Sequence, residues 1–268
     1  MGVLDGRVAI VTGTTAASIG RACAIAMSDA GAKVIVTGRT IAGGQETERQ
    51  IIERGGDALY VRHDVREEKD WETVVNTCIE KYGRLDILLN NAGESKGGPI
   101  ETLKIEDLHF LLGVNVEAPF LGAKTCWPHL VKSGRGVILN MSSLTAQQPG
   151  AGGTLYGPSK ATQNALTRVM AMEGADAGIR AISVLPGLTF TDGVLDSLGT
   201  DTERYKEPLA KKIWMGEWGK SEHVADACVF LASDAARYIT GIEFNVDGGG
   251  IGQMPDHDKT AERHGLSS

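Results

Sequence analysis

The feature that most constrains the fold of this chain is the form of its apolar segments. Short, continuous runs rich in Val, Ile and Leu alternate from start to finish with segments of helix length. The runs at 8–12, 33–37, 58–61, 85–90, 136–141, 180–186 and 242–246 mostly lack period-two alternation. Strands covered on both faces look like this, whereas a half-exposed strand alternates apolar and polar residues. Between the runs, segments such as 19–30, 42–54 and 67–82 repeat apolar residues at helical spacing; Trp71, Val74, Val75, Cys78 and Ile79 share one helix face. Repeated strand–helix–strand units imply right-handed crossovers and a parallel sheet. The expected architecture is α/β: a doubly wound, seven-stranded parallel sheet with helices on both faces, three layers in all.

Nothing in 268 residues divides the chain, so residues 1–252 read as one domain and 253–268 as a polar tail, disordered or docked on a neighbouring subunit. Residues 188–217 interrupt the alternation with a polar-rich insertion after a strand end, where a substrate lid would sit. The net charge of −7 and isoelectric point near 5.4 argue against nucleic acid or an anionic membrane as partner. No apolar run approaches the ~20 residues that cross a bilayer, and residues 1–13 lack a signal-peptide layout. Cys23, Cys78, Cys126 and Cys228 are far apart, which reads as reduced core cysteines of a cytoplasmic protein. The six histidines show no metal-ligand spacing, so no metal site is expected.

Two stretches carry chemistry. After strand one, VTGTTAASIGRA leads into helix composition near Ile19. Glycines at such a turn let backbone approach a pyrophosphate seated on the free N–H groups of the helix start; alone, they mark only a tight turn. In the second, the strand at 136–141 breaks at Ser142-Ser143, and a loop rich in Gly and Pro leads to Tyr156 and Lys160. Four residues apart on a helix, the phenol and ammonium share one face. A cation one turn from a tyrosine is expected to draw its pKa from ~10 toward the working range.

These residues, in order and spacing over roughly 5–250, resemble the short-chain dehydrogenase/reductase family: Thr12-Gly13, Asn90-Asn91-Ala92-Gly93, Asn115, Ser143, Tyr156 with Lys160, and Pro186-Gly187. The resemblance implies a Rossmann-type fold, a homotetramer packed through the helices near 107–132 and 155–177, and ketone/secondary-alcohol chemistry on a small molecule. It makes Tyr156 the acid/base and Lys160 its tuner and a ligand of the nicotinamide ribose. Ser143 would hold the substrate oxygen. Asn115, in a helical stretch interrupted at Pro119, would support a water in the proton path. The cofactor would meet Gly13, Thr15, Ser18, Ile19 and Gly20 at the pyrophosphate, and Asn91, Ala92 and Gly93 along its length. Asp64 and Val65 would meet the adenine, with Asp64 also a candidate helix cap. Pro186, Gly187, Thr189 and Thr191 would meet the nicotinamide.

The chain departs from the family at the first loop, which has one residue more between Gly13 and Gly20 and Ser18 in place of the middle glycine. A bulge at 14–17 is expected, with Ser18 giving its N–H and hydroxyl to the pyrophosphate. At the end of strand two, Gly38 stands where a ribose-binding acid would, and Arg39 follows. A guanidinium suits a 2′-phosphate, so NADP(H) is expected over a possible NAD(H). The lid suits a neutral alicyclic, steroid-like or sugar-like ketone; Gln147 and Gln148 are candidates for specificity, and Trp214 and Trp218 for lid packing or pocket lining. Alternatives are a 3-oxoacyl-carrier-protein reductase, mildly disfavoured by Met172 where a basic residue would stand, and a non-catalytic nucleotide sensor, which would need no phenol–ammonium pair.

Overall fold

A computed structural model describes residues 2–191 and 210–250. In chain order the elements are β1 (Val8–Thr12), α1 (Ile19–Asp29), β2 (Lys33–Gly38), α2 (Ile41–Glu53), β3 (Ala58–Arg62), α3 (Glu68–Tyr82), β4 (Ile87–Asn90), α4 (Ile105–Leu112), α5 (Ala118–Ser133), β5 (Val137–Met141), α6 (Tyr156–Gly174), β6 (Arg180–Pro186), β7 (Thr189–Phe190), β8 (Gly219–Lys220), α7 (Ser221–Ala232) and β9 (Glu243–Val246). Seven strands form one parallel sheet in the order β3-β2-β1-β4-β5-β6-β9; β7 and β8 pair separately.

The missing period-two pattern has a direct cause. Along β1, Ala9 and Val11 pack into a core with α1, α2 and α7, while Val8 and Ile10 pack into a second core with α3, α5 and α6. Both faces of the strand are dry, so both sets of side chains are apolar. Each buried Val or Ile contributes on the order of 1.5–3 kcal/mol. Most of the seven expected strands appear within a residue or two of their expected limits.

The chain departs from expectation at Pro119. The helix does not break there. It passes from α4 through a π-helical turn, Gly113–Glu117, directly into α5. Proline has no N–H to give to residue i−4, and the Ala118 N–H reaches instead to the Gly113 carbonyl. The irregularity thus falls on Asn115 itself.

The order of the sheet puts its reversal between β1 and β4, where the crossovers leave in opposite directions and open a crevice at the strand C-termini. Thr12 joins the two sides of that crevice. Its Oγ1 accepts from the N–H groups of Asn91 and Ala92, each at 3.0 Å.

Candidate active site

A cleft of about 760 Å³ runs along these strand ends, from the β1–α1 loop past β2 and β3 to β5 and the start of α6. It is lined by every one of the expected catalytic and cofactor-binding residues except Gly20 and Asn115, which lie directly behind it.

Gly13 turns the chain at φ +71°, a left-handed conformation that favours glycine. A Cβ on Gly20 would collide with the Gly13 carbonyl oxygen and the Asn91 amide, so α1 can start this close to the strands only with glycine there. Ser18 is the N-cap residue of α1, but its hydroxyl caps no N–H; it donates to the Ala16 carbonyl at 3.3 Å. The first turn of α1 carries no acidic side chain. Its amides and the positive end of the helix dipole are left for an anion, so the loop fits a pyrophosphate.

The extra residue lodges against the β2–α2 junction. A Cβ on Gly43 would collide with the Thr15 carbonyl oxygen, and one on Gly38 would lie 2.5 Å from the Thr15 methyl. The bulge is braced by Thr47, whose Oγ1 donates to the Thr14 carbonyl at 2.6 Å and accepts from Arg21 Nε at 2.9 Å. Sequence reasoning passed over Gly43 and Gly44. Two glycines in the first turn of a helix carry an entropic cost of about 0.5–1 kcal/mol each, and that was the available signal of a close neighbour.

Around the mouth of the cleft near β2 and β3, four charges stand in two pairs. Arg39 meets Glu94 at 3.0 Å, and Arg66 meets both carboxylate oxygens of Asp64, through Nη2 at 2.6 Å and Nε at 3.0 Å. The Arg66 guanidinium holds the Asp64 carboxyl down to about 2, and Arg39 adds to the effect. Asp64 does not cap α3. Its carboxylate takes the Arg66 N–H of the preceding turn, and Glu67 is the N-cap residue. The two turn residues between Asp64 and Glu67 explain the offset.

At the other end, Ser143 lies two residues past β5 and Tyr156 opens α6. Ser143 Oγ accepts from Thr145 N at 3.2 Å and from Thr145 Oγ1 at 2.9 Å, which leaves its own O–H as a donor. Its hydroxyl acts on the Tyr156 phenol as a hydrogen-bonding neighbour that favours the ionised form. Lys160 is 2 % exposed; its Nζ donates to the Met141 carbonyl at 2.7 Å and lies 5.8 Å from the Tyr156 ring centroid. Burial pushes Lys160 down to about 8. Burial also raises the Tyr156 pKa, with the Ser143 hydrogen bond opposing it. Lys160, whose Nζ is bonded to the Met141 carbonyl, adds no lowering to set against that burial. Ser142, read as a turn residue, donates to the Lys160 carbonyl at 3.3 Å and ties β5 to α6.

Asn115 is fully buried and its amide is spent on protein. Nδ2 donates to the Glu94 carbonyl at 2.9 Å and Ser159 Oγ at 3.0 Å, and Oδ1 accepts the Glu94 N–H at 2.9 Å. A Cβ on Gly93 would lie 3.2 Å from Lys160 Nζ and 3.4 Å from Asn115 Oδ1, so the two sit side by side across the backbone of Gly93. Glu94 and Ser159, both missed in the sequence, complete this arrangement; neither forms part of a recognisable pattern with Asn115 until the fold joins them.

Gln147 does not face the cleft. Its amide donates to Glu243 at 2.7 Å and accepts from Asn245 at 3.2 Å, while Gln148 lines the cleft. Pro186, Gly187, Thr189 and Thr191 line it from β6 onward, with Thr189 Oγ1 donating to the Gly187 carbonyl at 3.2 Å. Trp218 packs edge-on against Phe190, centroids 5.9 Å apart, whereas Trp214 is 52 % exposed. Most of the expected lid, residues 192–209, and the tail from 251 lie outside the described residues. Among the described residues no His, Cys, Asp or Glu cluster could hold a metal ion.

A family model described as enoyl-(acyl carrier protein) reductase matches residues 13–250. The chain is 35% identical over 246 residues to a 2,5-dichloro-2,5-cyclohexadiene-1,4-diol dehydrogenase of Sphingobium indicum, covering 92% of this chain and 96% of that one. It is 35% identical over 250 residues to glucose 1-dehydrogenase 2 of Bacillus subtilis, covering 92% and 95%. A Serratia marcescens short-chain dehydrogenase/reductase mutant of known structure superposes with a TM-score of 0.85 at 29% identity, covering 93% of this chain and 99% of that one. With that sheet order, that crevice and those relatives over nearly its whole length, the chain belongs to the short-chain dehydrogenase/reductase family of oxidoreductases.

Proposed function

We propose that this protein interconverts a ketone and a secondary alcohol with NADP(H), and with NAD(H) as the weaker cofactor. The observation that carries the reading is the single cleft with an anion-ready helix start and Arg39 at one end and Ser143, Tyr156 and Lys160 at the other. When bound, the nicotinamide dinucleotide supplies or accepts hydride. The chain's own residues bind it, orient the substrate and handle the proton.

In the reducing direction the Tyr156 O–H protonates the carbonyl oxygen, which the Ser143 O–H holds as a second donor. Lys160, anchored on Met141, keeps an ammonium close to the phenol, so that negative charge developing on the tyrosine has a cation nearby. Asn115, its side chain fixed on the Glu94 backbone, is proposed to support a water in the proton path beside Lys160. Oxidation of an alcohol reverses each transfer. The cofactor contacts proposed are Gly13, Thr15, Ser18, Ile19 and Gly20 at the pyrophosphate, Arg39, Asp64 and Val65 at the adenosine, Asn91, Ala92 and Gly93 between, and Pro186, Gly187, Thr189 and Thr191 at the nicotinamide.

A neutral, ring-borne ketone or alcohol is the proposed substrate class. The walls beside Ser143 are the neutral Leu144, Thr145, Gln148 and Leu188, and two relatives are named for dehydrogenation of a cyclic diol and of glucose. Exposed Phe110, Phe120, Val169 and Met172 on α4, α5 and α6 support assembly through those helices as a homotetramer. The test is a panel of cyclic ketones and alcohols assayed with each nicotinamide, on the wild type and Tyr156→Phe. The variant is expected to bind NADPH normally and to lose about 10²–10⁴ in kcat. Retained turnover would overturn the assignment of Tyr156.

A further inference from the structure

The charges at the adenosine end of the cleft are balanced. Two guanidinium groups, Arg39 and Arg66, face two carboxylates, Glu94 and Asp64. Asp64 is committed to Arg66 through both of its oxygens and through the Arg66 N–H. Glu94 is the partner of Arg39. It comes from the far side of the crevice, four residues past the end of β4, whereas Arg39 follows β2. The ion pair therefore crosses the mouth of the cleft that both residues line.

Glu94 is also well placed to stay there. Its N–H and its carbonyl are both bonded to the buried side chain of Asn115, so its backbone has no freedom to withdraw. Gly38, by contrast, leaves no room for a carboxylate of its own, because the Thr15 methyl already lies 2.5 Å from where its Cβ would be. The acid that meets Arg39 is thus delivered from β4 instead of β2.

We propose that Glu94 is a specificity-determining residue of the cofactor site: its carboxylate holds the guanidinium that a 2′-phosphate needs, and so limits discrimination between NADP(H) and NAD(H). This rests on the reading that Arg39 meets the 2′-phosphate. A phosphate monoester carries about −1.5 to −2 charges at neutral pH. To reach Arg39 it must displace a carboxylate and then remain near it. A ribose hydroxyl meets neither obstacle. Neutralising Glu94 removes the competitor and takes the four-residue group from a net charge of zero to plus one.

The experiment uses the full-length chain and four forms: wild type, Glu94→Gln, Arg39→Gln and the double variant. Dissociation constants for NADPH and NADH are read by nucleotide fluorescence, with thermal unfolding as a check on folding. Glu94→Gln is expected to tighten NADPH about three- to tenfold, with NADH unchanged within about twofold, as suits a part-exposed charge pair. The gain should be larger at about 50 mM than at about 300 mM salt, and should vanish in the Arg39→Gln background. If Arg39→Gln weakens NADPH while Glu94→Gln changes nothing, or tightens both nucleotides alike, the role of Glu94 is refuted and that of Arg39 stands. If Arg39→Gln leaves NADPH binding unchanged, the cofactor reading itself fails, and the role of Glu94 with it.

Discussion

Replacing Lys160 with methionine separates what this residue costs the fold from what it does for the site. The ammonium is 2 % exposed, has no carboxylate within ion-pair distance among the described residues, and is held down to about 8 from an ordinary value of 10.5. At ~1.36 kcal/mol per pKa unit, carrying that charge at neutral pH costs the folded state about 3 kcal/mol. Methionine fills similar volume without charge, but leaves the Met141 carbonyl without its donor, a loss of about 1–3 kcal/mol. The net change at pH 7 is therefore small, between about zero and 2 kcal/mol of stabilisation. The pH dependence is free of that cancellation. Because the folded pKa is the lower one, the unfolded chain binds more protons between about pH 8 and 10.5, and wild-type stability rises through that window. Lys160→Met lacks this rise, so its stability relative to wild type should fall by about 2 kcal/mol between about pH 7 and pH 9.5. Urea unfolding followed by tryptophan fluorescence at the two pH values measures it. A difference independent of pH, or one that grows in the variant's favour, would refute the buried, unpaired ammonium. Turnover should be lost at both.

Two further substitutions test the cleft walls. Gly43→Ala should push the Thr14–Thr15 bulge off its seat and weaken NADPH and NADH alike, by about tenfold or more; unchanged affinities in a fluorescence titration would show that the loop yields without cost. Gln148→Ala should change KM for a ring ketone, whereas Gln147→Ala should leave kcat/KM unaltered and lower stability by about 0.5–1.5 kcal/mol through the lost Glu243 bond. Steady-state kinetics beside urea unfolding distinguishes them, and the reverse pattern would overturn the orientation of the loop.

How much could be read in advance depended on whether the relevant neighbours were close in sequence. Tyr156 and Lys160 are one helical turn apart, so their proximity needed only helix geometry. The strands announced themselves because both faces of each are dry. The turn around Asn115 was misjudged because Pro119 looks like a break. A proline in the first turn of a helix needs no N–H, and only the continuation of the backbone shows that the ladder shifts register instead. Adjacent Gln147 and Gln148 were indistinguishable as sequence; Glu243 and Asn245, about a hundred residues on, decide that the first turns away.

The sequence by itself determined the parallel sheet, the position of the crevice and the identity of the polar groups along it. Local periodicity and residue chemistry are enough for those. Only the tertiary structure decided the electrical state of the site. Burial raises the Tyr156 pKa and lowers that of Lys160, and Arg39 and Asp64 each already have an opposite charge. These are balances between desolvation and partners contributed by distant segments, and neither term exists until the chain has closed around the group.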